Sequence, residues 1–546
     1  MIEFDSSESQ RLKTQHQLDQ LKSQQERNKL GQFATPTELA QEIMEYARTI
    51  FAPDLPIRFI DPAFGTGAFY SSLLKVFPIT QIAEARGFEI DPIYGQAAVK
   101  LWQGYKLNLQ LRDFTKSVPP ISEKKKNNLL ICNPPYVRHH HLSKAEKQRL
   151  QILSEQVTGI KLSQQAGLYG HFLCLSHAWL AENGLAGWLI PGEFMDVNYG
   201  QGIRKYLLTR VTLLRIHRFD PKQTQFNDAL VSSAIVWFKN SSPPTNHKAE
   251  FTYGGTLTHP ATTKTIAVQE LSSTTKWNKL FLLPTLAVRI SSPEKHKDRA
   301  PLQLQSASAN VERVPLSYLF DIKRGLATGA NSFFILDSNK VSQYQIPTEF
   351  LRPILPNARY LPHSEIHADE NGNPIMLPSL FLLACNLPEK EVEANYPSLW
   401  KYLQMGVSAG INTRFLCRNR NPWYSQEKRL PCMFICTYMG RQSPKGETPF
   451  RFILNHSKAL VTNSYLILYP RPMLAEVLSH HSEMVRLVWQ GLTSISANTF
   501  IEEGRVYGGG LHKVEPKELA NIPVDNIFSL LHNHPIPIQK QLFYEA

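Results

Sequence analysis

Between residues 31 and 240, short apolar runs alternate with amphipathic stretches, and this alternation limits the fold more than any other feature of the chain. Strand-like runs fall at residues 57–60, 85–90, 107–111, 129–132, 185–190, 213–219 and 230–238. Helix-like stretches such as 36–50 and 169–180 lie between most of them. Strands that alternate with helices pair in parallel, because each crossover returns the chain to the same end of the sheet. The predicted fold is therefore α/β, with ligands at the carboxyl ends of the strands. The last two runs leave no room for a helix, which predicts an antiparallel strand at one end of the sheet.

The rest of the chain reads differently. Residues 1–30 are polar, with Leu12, Leu18 and Leu21 at loose helical spacing, and predict a solvated helical arm. Residues 241–310 carry stretches such as NSSPPTNHK and SSPEKHKDRAP and predict a linker, with a strand or short helix near 251–253 and 277–281. Residues 311–546 form a second, mixed α/β region rich in prolines and aromatics. A length of 546 residues agrees with two to four domains at about 100–200 residues each. No apolar run approaches the roughly 18–20 residues of a membrane span, and the amino terminus lacks the apolar segment of a secretory signal. Six scattered cysteines do not make a secreted disulfide framework. The net charge of +13 is divided almost evenly, +6 in residues 1–240 and +7 in the remainder. Basicity on both sides fits a polyanion held between two domains.

The first motif is Asp61-Pro62-Ala63-Phe64-Gly65-Thr66-Gly67, between a strand-like run and an apolar helix. Its glycines allow a tight turn and close backbone approach to a nucleoside, while the third glycine of a dinucleotide fingerprint is absent. The next strand ends at Glu89, suited to the hydroxyls of a ribose, and a third ends near Asp113, suited to an adenine amine. Three acidic strand ends repel phosphates. They accept from a ribose, an ammonium and an adenine amine, which favours S-adenosylmethionine over NAD or ATP.

The second motif ends the run 129–132 with Asn133-Pro134-Pro135-Tyr136. Two prolines cannot continue a central strand, and their fixed φ holds the Asn133 side chain and the Pro134 carbonyl in one geometry. Two acceptors then face one planar NH2 group, and the Tyr136 ring can stack on the base that carries it.

These residues together resemble the DNA N6-adenine methyltransferases of the gamma arrangement, in which cofactor motifs precede the catalytic motif and target recognition is carboxy-terminal. Gly31-Gln32-Phe33-Ala34-Thr35-Pro36 is similar to the family's amino-terminal cofactor motif. The resemblance implies a Rossmann-like S-adenosylmethionine-dependent methyltransferase domain over residues 31–240 and a target recognition domain over 311–546. It implies that Asn133, Pro134, Pro135 and Tyr136 are catalytic. It implies that Thr35, Asp61, Ala63, Gly65, Gly67, Glu89 and Asp113 bind the cofactor, and that Phe226 stacks on the other face of the target base. Core packing is the alternative for Phe226. The segments 316–331 and 507–519 look like the opening and close of the recognition domain. Between them, Arg414, Arg418, Arg420 and Trp423, with Arg324 upstream, are candidate DNA contacts. The implied partner is double-stranded DNA, with a separate cognate restriction endonuclease and a bacterial or archaeal cytosolic location.

Other patterns point to less. Three consecutive histidines, 139–141, cannot readily converge on one ion. Cys417, Cys432 and Cys436 lack a fourth ligand and metal spacing, so buried thiols are expected and no metal is. No nuclease constellation is evident. Asn-Pro-Pro-Tyr also serves methyltransferases of RNA bases and of protein glutamine, which usually lack the second domain. A decayed, non-catalytic recognition protein is the remaining rival.

Overall fold

The computed structural model describes residues 2–220, 232–281, 313–441, 448–507 and 510–533. The chain divides into two compact units, residues 1–296 with 507–510 and residues 297–506 with 511–546.

The first unit is built on one sheet of nine strands. In chain order they are β1 (Ile57–Asp61), β2 (Ile82–Phe88), β3 (Asn108–Gln110), β4 (Asn127–Cys132), β5 (Leu180–Pro191), β6 (Thr212–Arg218), β7 (Ser233–Lys239), β8 (Lys248–Gly255) and β9 (Pro260–Ala267). In space they run β3-β2-β1-β4-β5-β7-β6-β8-β9. The strands from β3 to β5 are parallel, and β7 is antiparallel to both β5 and β6. Each of the seven strand-like runs of residues 31–240 thus holds a strand, residues 230 and 231 of the last lying outside the described residues. The antiparallel strand is internal, because the sheet continues past β6.

That continuation comes from residues that read as linker. β8 pairs in parallel with β6, and β9 antiparallel with β8. Phe251 and Ala249 on β8 are buried against the core, whereas β9 (PATTKTIA) is mostly exposed. Threonines suit an edge strand, and a proline is tolerated as its first residue. The polar composition of β9 is why it reads as a loop, whereas the strand or short helix expected near 251–253 falls on β8.

Among the described residues, eight α-helices accompany the sheet: α1 (Ile2–Gln20), α2 (Gln24–Leu30), α3 (Thr37–Ile50), α4 (Ala68–Val76), α5 (Pro92–Leu101), α6 (Lys144–Thr158), α7 (Leu168–Ser176) and α8 (Gln201–Thr209). In α3, Leu39, Ala40, Ile43, Met44, Tyr46 and Ala47 are buried, the stripe expected of a helix packed on a sheet. β4 is buried at all six positions, as a central parallel strand must be. The side chains of its two leading asparagines bond neighbouring backbone, although the Asn127 oxygen is left buried without a partner. Asn128 accepts from the Arg58 N–H at 2.7 Å, and Asn127 donates to the Phe59 carbonyl at 3.0 Å.

The amino-terminal arm is not a solvated helix. Arg11 and Leu18 on α1 are buried, whereas Leu12, Leu21 and Leu30 of the arm face solvent. α2 starts with a Ser23–Glu26 capping box and stops at Gly31, whose φ of +66° favours glycine. Among the described residues, no helix is long and apolar enough to cross a membrane.

Among its described residues, the second unit holds three smaller sheets. The largest orders Phe320–Arg324, Tyr465–Pro470, Phe434–Thr437, Phe452–Asn455 and Glu365–Ile366, antiparallel except for its last pair. The helices Pro472–His480 and Ser482–Thr493 supply Leu474, Met484 and Val488 to the core beside it.

Candidate active site

The spatial order β3-β2-β1-β4 sets four strand ends side by side. Asp61 closes β1, Glu89 follows β2, Asp113 follows β3, and Asn133 follows β4. The sheet therefore brings the predicted cofactor residues that close its strands and the predicted catalytic tetrapeptide to one edge.

The glycine turn is held from several directions. Asp61 accepts from the Ala63 N–H at 3.1 Å, and Phe64 donates to the Phe88 carbonyl at 2.8 Å. Gly65 (φ +56°) has nothing within 4 Å of where a Cβ would stand, so its face of the turn is open to a ligand. Gly67 is the opposite case. A Cβ there would lie 2.6 Å from the Trp102 indole nitrogen and 2.8 Å from the Phe64 ring. The Glu89 carboxylate accepts from the Gly65 N–H and the Asp91 N–H, both at 2.8 Å. Each oxygen keeps a further lone pair, the arrangement needed to receive two ribose hydroxyls.

Burial dominates the electrostatics of this edge. It raises the Asp61 carboxyl to about 7, against the bonds from Ala63 and the Cys132 thiol, with the charge of Glu89 adding to the rise. Burial also raises Glu89, while the amides of Asp91 and Gly65 oppose it. Asp113 is the most committed of the three acids. One of its oxygens accepts from the Thr115 N–H and hydroxyl, both at 2.8 Å, capping a short helical turn, and Lys116 lies 3.6 Å from the other.

Asn133 carries the decisive geometry. Its side-chain NH2 donates to the Phe33 carbonyl at 3.0 Å and to the Thr35 hydroxyl at 3.1 Å. A carbonyl only accepts, so the nitrogen must face Phe33, and the amide oxygen must face the other way. That oxygen is buried and has no hydrogen-bond partner. An orphaned buried acceptor costs stability unless a ligand meets it. Tyr136 is fixed as firmly. Its N–H donates to the Gly31 carbonyl at 3.2 Å, its hydroxyl donates to the Leu189 carbonyl at 3.1 Å, and its ring lies 5.6 Å from that of Phe33. Gly31 touches this loop closely enough that a Cβ would stand 2.4 Å from the Tyr136 nitrogen. Sequence reading singled out Thr35, but not that Phe33 and Thr35 jointly set the Asn133 amide. It also passed over Ile90, a large apolar side chain 68% exposed directly after Glu89. Phe226 lies outside the described residues.

In the second unit the segment 316–331 and the arginine-rich stretch 414–424, both expected to serve recognition, meet. A Cβ on Gly329 would lie 2.9 Å from the Cys417 sulfur, and Arg420 donates to the Thr328 carbonyl at 2.9 Å and the Ala327 carbonyl at 2.6 Å. Arg420 is thus committed to the fold, and Trp423 packs beside Phe333 and Phe334 in a buried cluster. Arg414 and Arg418 are exposed, Arg418 over the ring of the exposed Phe415. Arg324 is exposed, with its guanidinium 4.2 Å over the Tyr438 ring.

His139–His141 form one short 3-10 turn. Among the described residues, the ligand-bearing atoms of Glu365, His367 and His456 lie within 4.8 Å of one another. The Glu365 carboxylate already accepts from His456 at 3.1 Å and Arg486 at 2.6 Å, so its charge is matched without an ion. Sequence spacing hides this group because pairing of Glu365–Ile366 with Phe452–Asn455 creates it.

Comparison with known proteins accords with this architecture. Residues 88–226 match the family described as Eco57I restriction-modification methylase. Residues 297–543 match the carboxy-terminal domain of type II methyltransferase M.Eco57I. Two models that carry the Eco57I name thus match separate stretches of this chain, one in each compact unit for the most part. Type II methyltransferase M.AccI of Acinetobacter calcoaceticus is 27% identical over 91% of this chain and 85% of its own length. M.XamI of Xanthomonas campestris pv. amaranthicola is 26% identical over 92% and 86%. Among solved structures, the restriction–modification enzyme MmeI in complex with DNA superposes with a TM-score of 0.50 at 12% identity, covering 81% of this chain and 60% of that one. This last likeness concerns the fold alone.

Proposed function

We propose that this methylase transfers a methyl group from S-adenosylmethionine to N6 of an adenine flipped out of duplex DNA. The buried, unpartnered Asn133 oxygen carries the reading. It is an acceptor held in place from behind by Phe33 and Thr35, and an exocyclic NH2 is the group that satisfies it.

The residues fit the cofactor. Glu89 offers lone pairs to the ribose, and Ile90 offers an exposed apolar face to the adenine ring. Asp113 stands at the adenine amine, with Thr35, Asp61, Ala63, Gly65 and Gly67 shaping the remainder. When bound, S-adenosylmethionine supplies an electrophilic methyl group. The chain supplies position and electrostatics. Asn133 and the Pro134 carbonyl accept from the amine and draw its lone pair out of conjugation. Pro135 fixes the loop. Tyr136 stacks on one face of the base, and Phe226 is assigned the other.

An adenine inside a duplex cannot reach this edge without leaving the stack. The second unit then supplies recognition, with Arg324, Arg414 and Arg418 as its exposed cations. Arg420 and Trp423 serve it indirectly by shaping the loop that carries them. A separate cognate endonuclease and a bacterial or archaeal cytosolic setting follow from the restriction–modification reading.

Radiolabelled methyl transfer run in parallel on duplex DNA, RNA and protein tests the substrate class. Single-molecule sequencing of DNA from cells that express the chain then reports base and context together. N6-methyladenine at one recurring motif is the expected result. N4-methylcytosine would keep the amine chemistry and overturn the adenine assignment.

A further inference from the structure

We propose that Arg11, on helix α1, is a positioning residue that ties the cofactor turn to the loop presenting Asn133. The proposal rests on the cofactor reading above and adds a part of the chain that no motif covers.

Arg11 is 1% exposed. A guanidinium taken out of water needs every donor matched, or the site is unstable. Here the matches are specific. Its Nε and one Nη donate to the two Glu8 carboxylate oxygens, both at 2.7 Å. That same Nη donates to the Thr37 hydroxyl at 3.0 Å, and the other Nη donates to the Thr66 hydroxyl at 3.2 Å. Thr66 lies in the turn between Gly65 and Gly67. Thr37 opens α3, two residues beyond the Thr35 whose hydroxyl holds Asn133. One planar cation therefore spans the two segments that must agree if cofactor and amine are to meet in register.

The neighbours reinforce this. Glu8 also accepts from the hydroxyls of Thr37 at 2.7 Å and Ser71 at 2.5 Å, and Gln15 accepts from the Thr66 hydroxyl at 2.6 Å. The Trp102 indole donates to the Thr66 carbonyl at 2.9 Å. Both ends of Thr66 are thus fixed, its backbone by α5's flank and its side chain by α1. Further along, Tyr94 donates to Asp19 at 2.7 Å, and Lys22 bonds Asp91, whose N–H is held by Glu89. The arm contacts both acidic and glycine segments of the pocket through polar side chains. Simple coverage of an apolar face would not need them.

The test uses full-length protein and S-adenosylmethionine, titrated calorimetrically, with single-turnover methylation at saturating cofactor. Arg11→Met alone strands a half-buried Glu8 and should lower thermal stability. The double variant Arg11→Met, Glu8→Gln removes the ion pair as a unit and should recover most of that stability. Its cofactor affinity should stay about tenfold or more below wild type, the loss expected for a charge-assisted hydrogen bond. Its single-turnover rate should fall as well. Arg11→Lys should restore part of both. Thr66→Val, which leaves the Arg11–Glu8–Thr37 group intact, gives an independent route and should weaken cofactor binding similarly. If the stable double variant and Thr66→Val both bind cofactor within twofold of wild type and turn over normally, Arg11 is only an interface ion pair and the proposal fails. Wild-type protein that takes up no S-adenosylmethionine would overturn the cofactor reading itself, a result visible before any variant is compared.

Discussion

The carboxyl edge of the first sheet and the arginine-rich surface of the second unit arrange polar groups by different means. At the sheet edge, strand order decides who meets whom, and each acid sits within three residues of the end of its own strand. In the second unit, loops distant in sequence lock together, and the same residue type serves two purposes within a few positions. Arg418 faces solvent, while Arg420 holds the carbonyls of Ala327 and Thr328. A site built on strand ends keeps its chemistry when a neighbour changes. A site built on interlocked loops loses shape before it loses charge.

The sharpest break of that comparison is Asn133→Ala. Methyl transfer should fall by about two orders of magnitude or more, comparable to removing one preorganised hydrogen-bonding group, with cofactor binding kept. Glu89→Ala should weaken S-adenosylmethionine by roughly 1.5–3 kcal/mol in a calorimetric titration without unfolding the sheet. Arg420→Ala should behave otherwise. It leaves two carbonyls short of donors, so denaturant unfolding of the second unit should show a loss of about 1–3 kcal/mol. Arg418→Ala should leave stability unchanged and lower the salt slope of DNA binding by about one if it meets a phosphate. If it reads a base, discrimination at one position should fall by ~1–3 kcal/mol instead. Matching effects from the two arginines would erase the distinction drawn here.

Acid offers a gentler probe. Burial holds His171, His177 and His217 of the first unit down to about 4, against an ordinary 6.5. The unfolded chain takes up their protons first. Their contribution is therefore complete above about 6.5 and is lost as pH falls toward 4, on the order of 1–2 kcal/mol each at pH 5. Asp61, raised from 3.8 to about 7, works in the opposite sense, since its burial disfavours the charged form that dominates as pH rises through that window. Hydrogen exchange at pH 7 and pH 5, corrected for intrinsic rates, should show protection falling in β6 and α7. The loss should be greater in Asp61→Asn, which lacks the compensating group.

How much of this was legible in the sequence follows the same division. Apolar runs bounded by turn residues marked β1 to β7, and the glycine turn, Glu89, Asp113 and Asn133 were visible because each closes such a run. β8 was marked in part, by the apolar spot at 251–253, whereas β9 was missed because a threonine-rich edge strand has the composition of a linker. Arg11 was missed because burial of a charge leaves no local trace; its partners, Thr37 and Thr66, lie 26 and 55 residues away. The split between Arg418 and Arg420 was hidden for the same reason. A fragment ending at residue 240 would lack β8, the partner of β6, whereas one ending at 296 keeps the whole sheet. Only the longer fragment should retain cofactor affinity.

The six cysteines, all buried, have a practical consequence. Burial pushes the Cys432 thiol up to about 11 and that of Cys174 to about 12, so neither presents a thiolate near neutral pH. To a maleimide dye the native chain is nearly silent. A cysteine placed at an exposed position such as Phe415, 68% accessible, would therefore be labelled alone, without first stripping the natural ones. Fluorescence from that single dye could follow the arrival of DNA in real time on an otherwise unaltered protein.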